Sequence, residues 1–109
     1  MPKRDPALYL QDIADCVKKI EKYTKGVSFE KFSRDSKTID AVVRNIEIIG
    51  EASKNIPAEM RRKYTGISWP RIIGMRNVIS HEYFGVLPDI IWKTIKDDLP
   101  KLKSELKIK

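Results

Sequence analysis

An all-α fold, an up-down four-helix bundle with short extra helical turns, is what the chain predicts, on three observations. Apolar residues recur at three- and four-residue spacings along most of its 109 residues. No alternation of apolar and polar residues lasts long enough to read as a strand. The prolines and glycines fall mainly between the periodic stretches, where helices start and stop. The length fits a single domain spanning residues 1–109, which would bury roughly two-thirds of its unfolded surface.

Each element follows from its own pattern. Asp5 and Pro6 make an N-cap and first-turn pair, and Leu10, Ile13, Val17 and Ile20 then recur at helical spacing up to a stop at Gly26. Ser28 to Phe32 reads as a short helical turn. The second long helix carries Ile39, Val42, Val43, Ile46, Ile49 and Ile56 on one stripe, with Arg44, Glu47, Glu51 and Lys54 off it. Asp35 or Ser36 caps its start and Pro57 marks its end. Gly50 inside it costs about 1 kcal/mol relative to alanine, a cost that close approach of a neighbouring helix would justify. Ala58 to Lys63 is a short helical piece. Ser68 caps the third long helix, with Pro70 in its first turn and Gly85 closing it. The last helix starts at Asp89 after Pro88, and Pro100 is expected to kink or end it before a lysine-rich tail.

The charged fraction of 34% exceeds the usual quarter, so much of the surface is solvated helix face. The net charge of +7 favours an anionic partner: nucleic acid, an acidic protein or a membrane surface. No apolar run approaches the roughly 18 residues of a membrane span. The basic start, Lys3-Arg4, lacks the apolar stretch that a signal peptide would place after it. Cys16 is the only cysteine, which excludes an intrachain disulfide and suits a reducing compartment, so a cytoplasmic protein is expected. Glu47 and Glu51 lie one turn apart, but no second histidine or cysteine accompanies them, and Arg44 and Lys54 stand ready to pair with them. Neither a metal site nor a cofactor is therefore expected. The five glycines form no phosphate-binding loop. Trp69 and Trp92 read as core anchors, and Arg61-Arg62-Lys63 as a solvated run that could hold a nucleic-acid backbone.

The chemistry concentrates on the third long helix, in Met75-Arg76-Asn77-Val78-Ile79-Ser80-His81-Glu82-Tyr83, which holds the only histidine. With Arg76 at zero and about 100° per residue, Ile72, Met75, Val78 and Ile79 fall between about −40° and −160°, the face for the core. Tyr83 falls near −20°, on the stripe of Arg76; Ser80 lies near 40°, Ile73 near 60°, Asn77 near 100° and His81 near 140°, all at ~10° precision. Arg76 and His81 therefore flank a second, outward face that contains Asn77, Ser80 and one isoleucine. That face is too polar for a bundle interior and suits contact with a second copy of the chain across a two-fold axis. RNA can be cleaved without metal when its 2′-hydroxyl attacks the adjacent phosphorus, which requires a base, an acid and a cation. Imidazole serves as acid or base near neutrality. One chain supplies one imidazole and a dimer supplies two. Arg76 offers a planar fork of donors for phosphate oxygens. On spacing alone, an arginine and a histidine five apart are more often part of a solvated face; their co-occurrence with Asn77 and Tyr83 is what favours a site.

The segment from Trp69 to Tyr83 resembles the HEPN superfamily, specifically the HepT-like toxins, whose signature is an arginine, four residues, a histidine, one residue and a tyrosine. Here these are Arg76, His81 and Tyr83, with Asn77 as the polar residue after the arginine. Arg44 to Ala52 and the stretch around Trp92 and Leu99-Pro100-Lys101-Leu102 are also similar to this family, so the resemblance covers nearly the whole chain. It implies a HEPN-like helical homodimer with the two motifs meeting in a cleft and a metal-independent endoribonuclease acting as a toxin. It also implies a MntA-like nucleotidyltransferase antitoxin that transfers AMP to the signature tyrosine, here Tyr83. The competing expectation is a non-catalytic module of the same fold that only binds a nucleotidyltransferase or nucleic acid.

Overall fold

The computed structural model describes residues 4–81 and 88–108, with residues 76–81 described as helical backbone. Helix α1 (Pro6–Thr24) begins where the Asp5 carboxylate accepts the Ala7 N–H at 3.0 Å and Pro6 takes the first helical position. It buries Ile13, Cys16, Val17 and Ile20, the i, i+3, i+4, i+7 set of one helix face. Gly26, with φ of 71°, then turns the chain in a conformation that only glycine adopts without cost. Helix α2 (Phe29–Arg34) is the expected short turn, capped by the Ser28 hydroxyl, which accepts the Lys31 N–H at 3.2 Å. Its purpose in packing is Phe32, which is fully buried.

Helix α3 (Ser36–Lys54) is the central helix: α1 packs along one side of it and α5 (Trp69–His81) along the other. Asp35 caps it, as expected. One carboxylate oxygen accepts the Thr38 N–H at 3.1 Å and the other accepts the Thr38 hydroxyl at 2.6 Å. Val42, Ile46, Ile49 and Ala52 are buried, and Ile39 and Val43 pack on the edge of the same core. Gly50 is buried on this helix too. Helix α4 (Ala58–Arg61) is a single turn, two residues shorter than its sequence pattern suggests.

The fourth long element runs from Pro88 to Glu105 as α6 (Pro88–Lys93), a π-helical turn (Thr94–Asp98) and α7 (Leu99–Glu105). Pro88 is already helical, one residue before the expected start at Asp89, because proline is tolerated in a first turn. Pro100 neither ends nor breaks it. A proline ring clashes with the carbonyl four residues back and returns no N–H to it. The turn before Pro100 relieves this by widening: the Leu99 N–H donates five residues back, to the Thr94 carbonyl. The Thr94 hydroxyl donates to the Ile90 carbonyl at 3.0 Å, a side-chain bond of the kind that bends helices. The element therefore continues and buries Ile91, Ile95, Leu99 and Leu102.

Helices α1, α3, α5 and the α6–α7 element are the four long members of an all-α, HEPN-like bundle, and no strand occurs among the described residues. Aromatic contacts close one end: the Trp92 ring lies 5.1 Å from Phe32 and 5.9 Å from Phe29, centroid to centroid. Both tryptophans are anchors, as expected, with Trp69 buried and Trp92 half-buried against α2.

The Thr38 side-chain bond and then the Thr38 N–H hold the Asp35 carboxyl below the ordinary carboxylate range. A lowered folded-state value stabilises the fold above the unfolded-chain value and is lost as pH falls through the folded one. Asp35→Ala is therefore expected to melt below the wild type at neutral pH, and the gap is expected to close as pH falls through and below the ordinary carboxylate range. Thermal unfolding across that range checks this; a gap independent of pH would contradict it.

Candidate active site on helix α5

Helix α5 is pinned at its N-terminal end before it reaches the motif. The Trp69 indole N–H donates to the Arg61 carbonyl at 3.1 Å, and Arg61 Nε donates to the Ile56 carbonyl at 3.1 Å. Tyr64 meets the Trp69 ring edge-on at 6.5 Å. These bonds tie the whole connection between α3 and α5. The Glu105 carboxylate of α7 lies over Gly66, so the end of α7 also meets this connection.

One turn on, Ile72 is buried and Met75 packs on the core, and these two residues set the rotation of α5. Pro70 and Arg71 are exposed and Ile73 is half-buried. Arg76, Asn77, Ser80 and His81 all fall within this one continuous helix. Its register puts position 81 about 180° from Ile72 and position 76 about 40° from it. Position 76 thus stands at the edge of the packed face and position 81 opposite it, about 7.5 Å further along the axis. Tyr83 lies outside the described residues, as does the expected helix stop at Gly85.

A second feature of α5 escaped the sequence reading. Arg71 Nε binds an Asp98 carboxylate oxygen at 2.9 Å, joining α5 to the π-helical turn. Asp98 is buried, and its other carboxylate oxygen has no hydrogen-bond partner among the described residues. A usable signal was present: Asp98 continues the Ile91, Ile95, Leu102 stripe at helical spacing, so a carboxylate was due to enter the core and would need a cation there. Among the described residues no group of three or more histidines, cysteines or carboxylates is placed to hold a metal ion.

A family model described as "Ribonuclease HepT-like" matches residues 13–108. The chain belongs to the HepT-like ribonuclease family. The match includes all of α5, so positions 76–81 lie inside the family's domain. A relative from Thermococcus cleftensis named "Probable ribonuclease HepT" is 47% identical over 103 residues, covering 94% of each chain. A protein of Caldanaerobacter subterraneus whose name marks it as a candidate RNase is 46% identical, covering 95% of this chain and 93% of its own. A Methanocaldococcus jannaschii protein, also named as a candidate RNase, is 37% identical over 99% of both chains. No solved structure matches the chain. Membership of this family supports ribonuclease activity at the family level. Among the described residues no helix is long and apolar enough to cross a membrane.

Removing Arg71 would strand the buried Asp98 charge. Arg71 is itself half exposed, so the penalty falls below that of a fully buried pair. Arg71→Ala is expected to lower stability by about 2 kcal/mol in urea unfolding, and Arg71→Ala/Asp98→Asn to recover part of that loss. Equal stability of wild type and Arg71→Ala would contradict this account.

Proposed function

We propose that this chain is a metal-independent endoribonuclease that works as a homodimer in the cytoplasm and is the toxin of a toxin–antitoxin pair. The observation that carries the reading is the position of Arg76 and His81 on one continuous helix, inside the part of the chain that makes it a HepT-like ribonuclease. The helix is anchored through Trp69 and Ile72, which gives the reacting groups a rigid base.

In this reading the 2′-oxygen of one nucleotide attacks the neighbouring phosphorus and the 5′-oxygen of the next leaves. A neutral imidazole from one His81 accepts the 2′-hydroxyl proton. A protonated imidazole, supplied by the second copy, gives a proton to the leaving oxygen. The products are a 2′,3′-cyclic phosphate and a 5′-hydroxyl. Arg76 balances the charge that builds on the phosphate oxygens at the transition state. Asn77 and Ser80 hydrogen-bond the substrate or hold it in line, and Tyr83 contacts it.

Tyr83 is also the point of control. A MntA-like nucleotidyltransferase partner brings ATP; the tyrosine oxygen attacks the α-phosphorus and pyrophosphate leaves, so that AMP stays on the side chain. The added anion would compete with RNA for Arg76.

Purified protein in excess chelator is expected to cut RNA and to leave cyclic-phosphate ends. His81→Ala and Arg76→Ala are each expected to lower kcat by at least about 100-fold. Undiminished cleavage by either variant would sink the assignment and favour a non-catalytic binding module. Light scattering at micromolar protein is expected to give the mass of a dimer. After co-expression with the nucleotidyltransferase, intact mass should rise by whole AMP units and Tyr83→Phe should abolish the rise; a strictly monomeric protein, or a mass unchanged in the wild type, counts against the corresponding half of the reading.

A further inference from the structure

Two cavities open on either side of the π-helical turn, and Lys96 and Pro100 line both. One, of about 610 Å³, lies between the C-terminal end of α1 and α7 and takes its cations from Lys22, Lys25, Lys96 and Lys103. The other, of about 500 Å³, lies between α5 and the π-helical turn, and there Lys96 is joined by Arg71, Lys93 and Lys101. Three carboxylates, Glu21, Asp97 and Asp98, share this lining. Two of them are already engaged: Glu21 with Lys103 at 2.9 Å and Asp98 with Arg71 at 2.9 Å. Lys93, Lys96 and Lys101 are exposed and have no ion-pair partner among the described residues. Seven cations against three carboxylates thus form a locally positive band that crosses from α1, over the π-helical turn, to α5.

We infer that this band is an RNA-binding surface separate from the cleavage motif, one that holds the sugar-phosphate backbone of single-stranded substrate and leads it onto α5. The inference rests on the reading of the chain as a ribonuclease that cuts RNA. Three features favour a polyanion over an acidic protein. Lysines are depleted from the centres of protein interfaces, whereas they dominate phosphate contacts. Among the described residues none of the exposed large apolar side chains (Leu8, Tyr23, Phe29, Ile48, Ile90) lines either cavity, so the rim offers phosphate contacts rather than apolar hot spots. The band also reaches the helix that matters: Arg71 lies five residues before Arg76, about 7.5 Å along the same axis. Asp98 takes Arg71 through Nε, and the Arg71 side chain stays half exposed, open to a phosphate.

The test compares the full chain with Lys93→Ala/Lys96→Ala/Lys101→Ala and with a control of equal net charge, Lys31→Ala/Lys37→Ala/Lys54→Ala, whose lysines lie outside the band. Fluorescence anisotropy with a single-stranded RNA of roughly 20 nucleotides reads binding. The band variant is expected to bind at least about tenfold more weakly at low salt, and its slope of log affinity against log salt is expected to be shallower by about 2. Its KM for the long RNA is expected to rise several-fold more than its KM for a trinucleotide, and the control should bind nearly as the wild type does. An equal loss in both triple variants, no loss in either, or no RNA binding by the wild type overturns the band. If the wild type binds RNA through these lysines but cuts nothing in any buffer, the ribonuclease reading fails while the band stands.

Discussion

The burial of Trp69 and Ile72 at the head of α5, the helix that packs on α3, is the constraint on which the remainder depends. A helix fixed at one turn is fixed in rotation along its length, because each residue follows the last by about 100°. Once the indole is held by the Arg61 carbonyl and Ile72 is in the core, positions 76 and 81 have no freedom to exchange faces. A catalytic pair on a loop would need its own scaffold. On this helix the hydrophobic core supplies the scaffold, and the cost of turning α5 is the exposure of two large apolar side chains.

The Arg71–Asp98 pair adds a polar constraint to that apolar one. Asp98 closes the π-helical turn as a buried residue, on the stripe of Ile91, Ile95 and Leu102. A buried carboxylate with one oxygen unpartnered among the described residues is costly unless a cation meets it, and Arg71 does. The same widened turn separates the two basic cavities. One local departure from helical geometry thus links the α5 anchor, the buried charge and the distribution of lysines.

Most of the fold was legible because its signals are local. Asp5, Ser28 and Asp35 cap the helices that their side-chain chemistry predicts, and the stripes of α1 and α3 are the buried ones. The errors have physical causes. Pro100 reads as a kink or an end from sequence because its clash is local, and it does not end the helix because the preceding turn widens and keeps Ile95, Leu99 and Leu102 on one core. Asp98 carries a local signal, a carboxylate on an apolar stripe, but that signal does not name its partner, because Arg71 is 27 residues away. The candidate site was legible as residue types and spacing on a helix, Arg76, Asn77, Ser80 and His81, since both belong to the chain itself.

By itself, then, the sequence determined the helices, their caps, their apolar faces and the presence of an arginine and a histidine 140° apart, by about 100° per residue, on one of them. Those are consequences of neighbouring residues in the chain. Only the tertiary structure decided which side of α5 meets α3, that the last helix runs through its proline, and that Arg71 and the lysines of the α6–α7 element stand together around a buried Asp98. Each of these depends on which distant segments share a core, and that is settled by packing across the whole molecule rather than by any stretch of it.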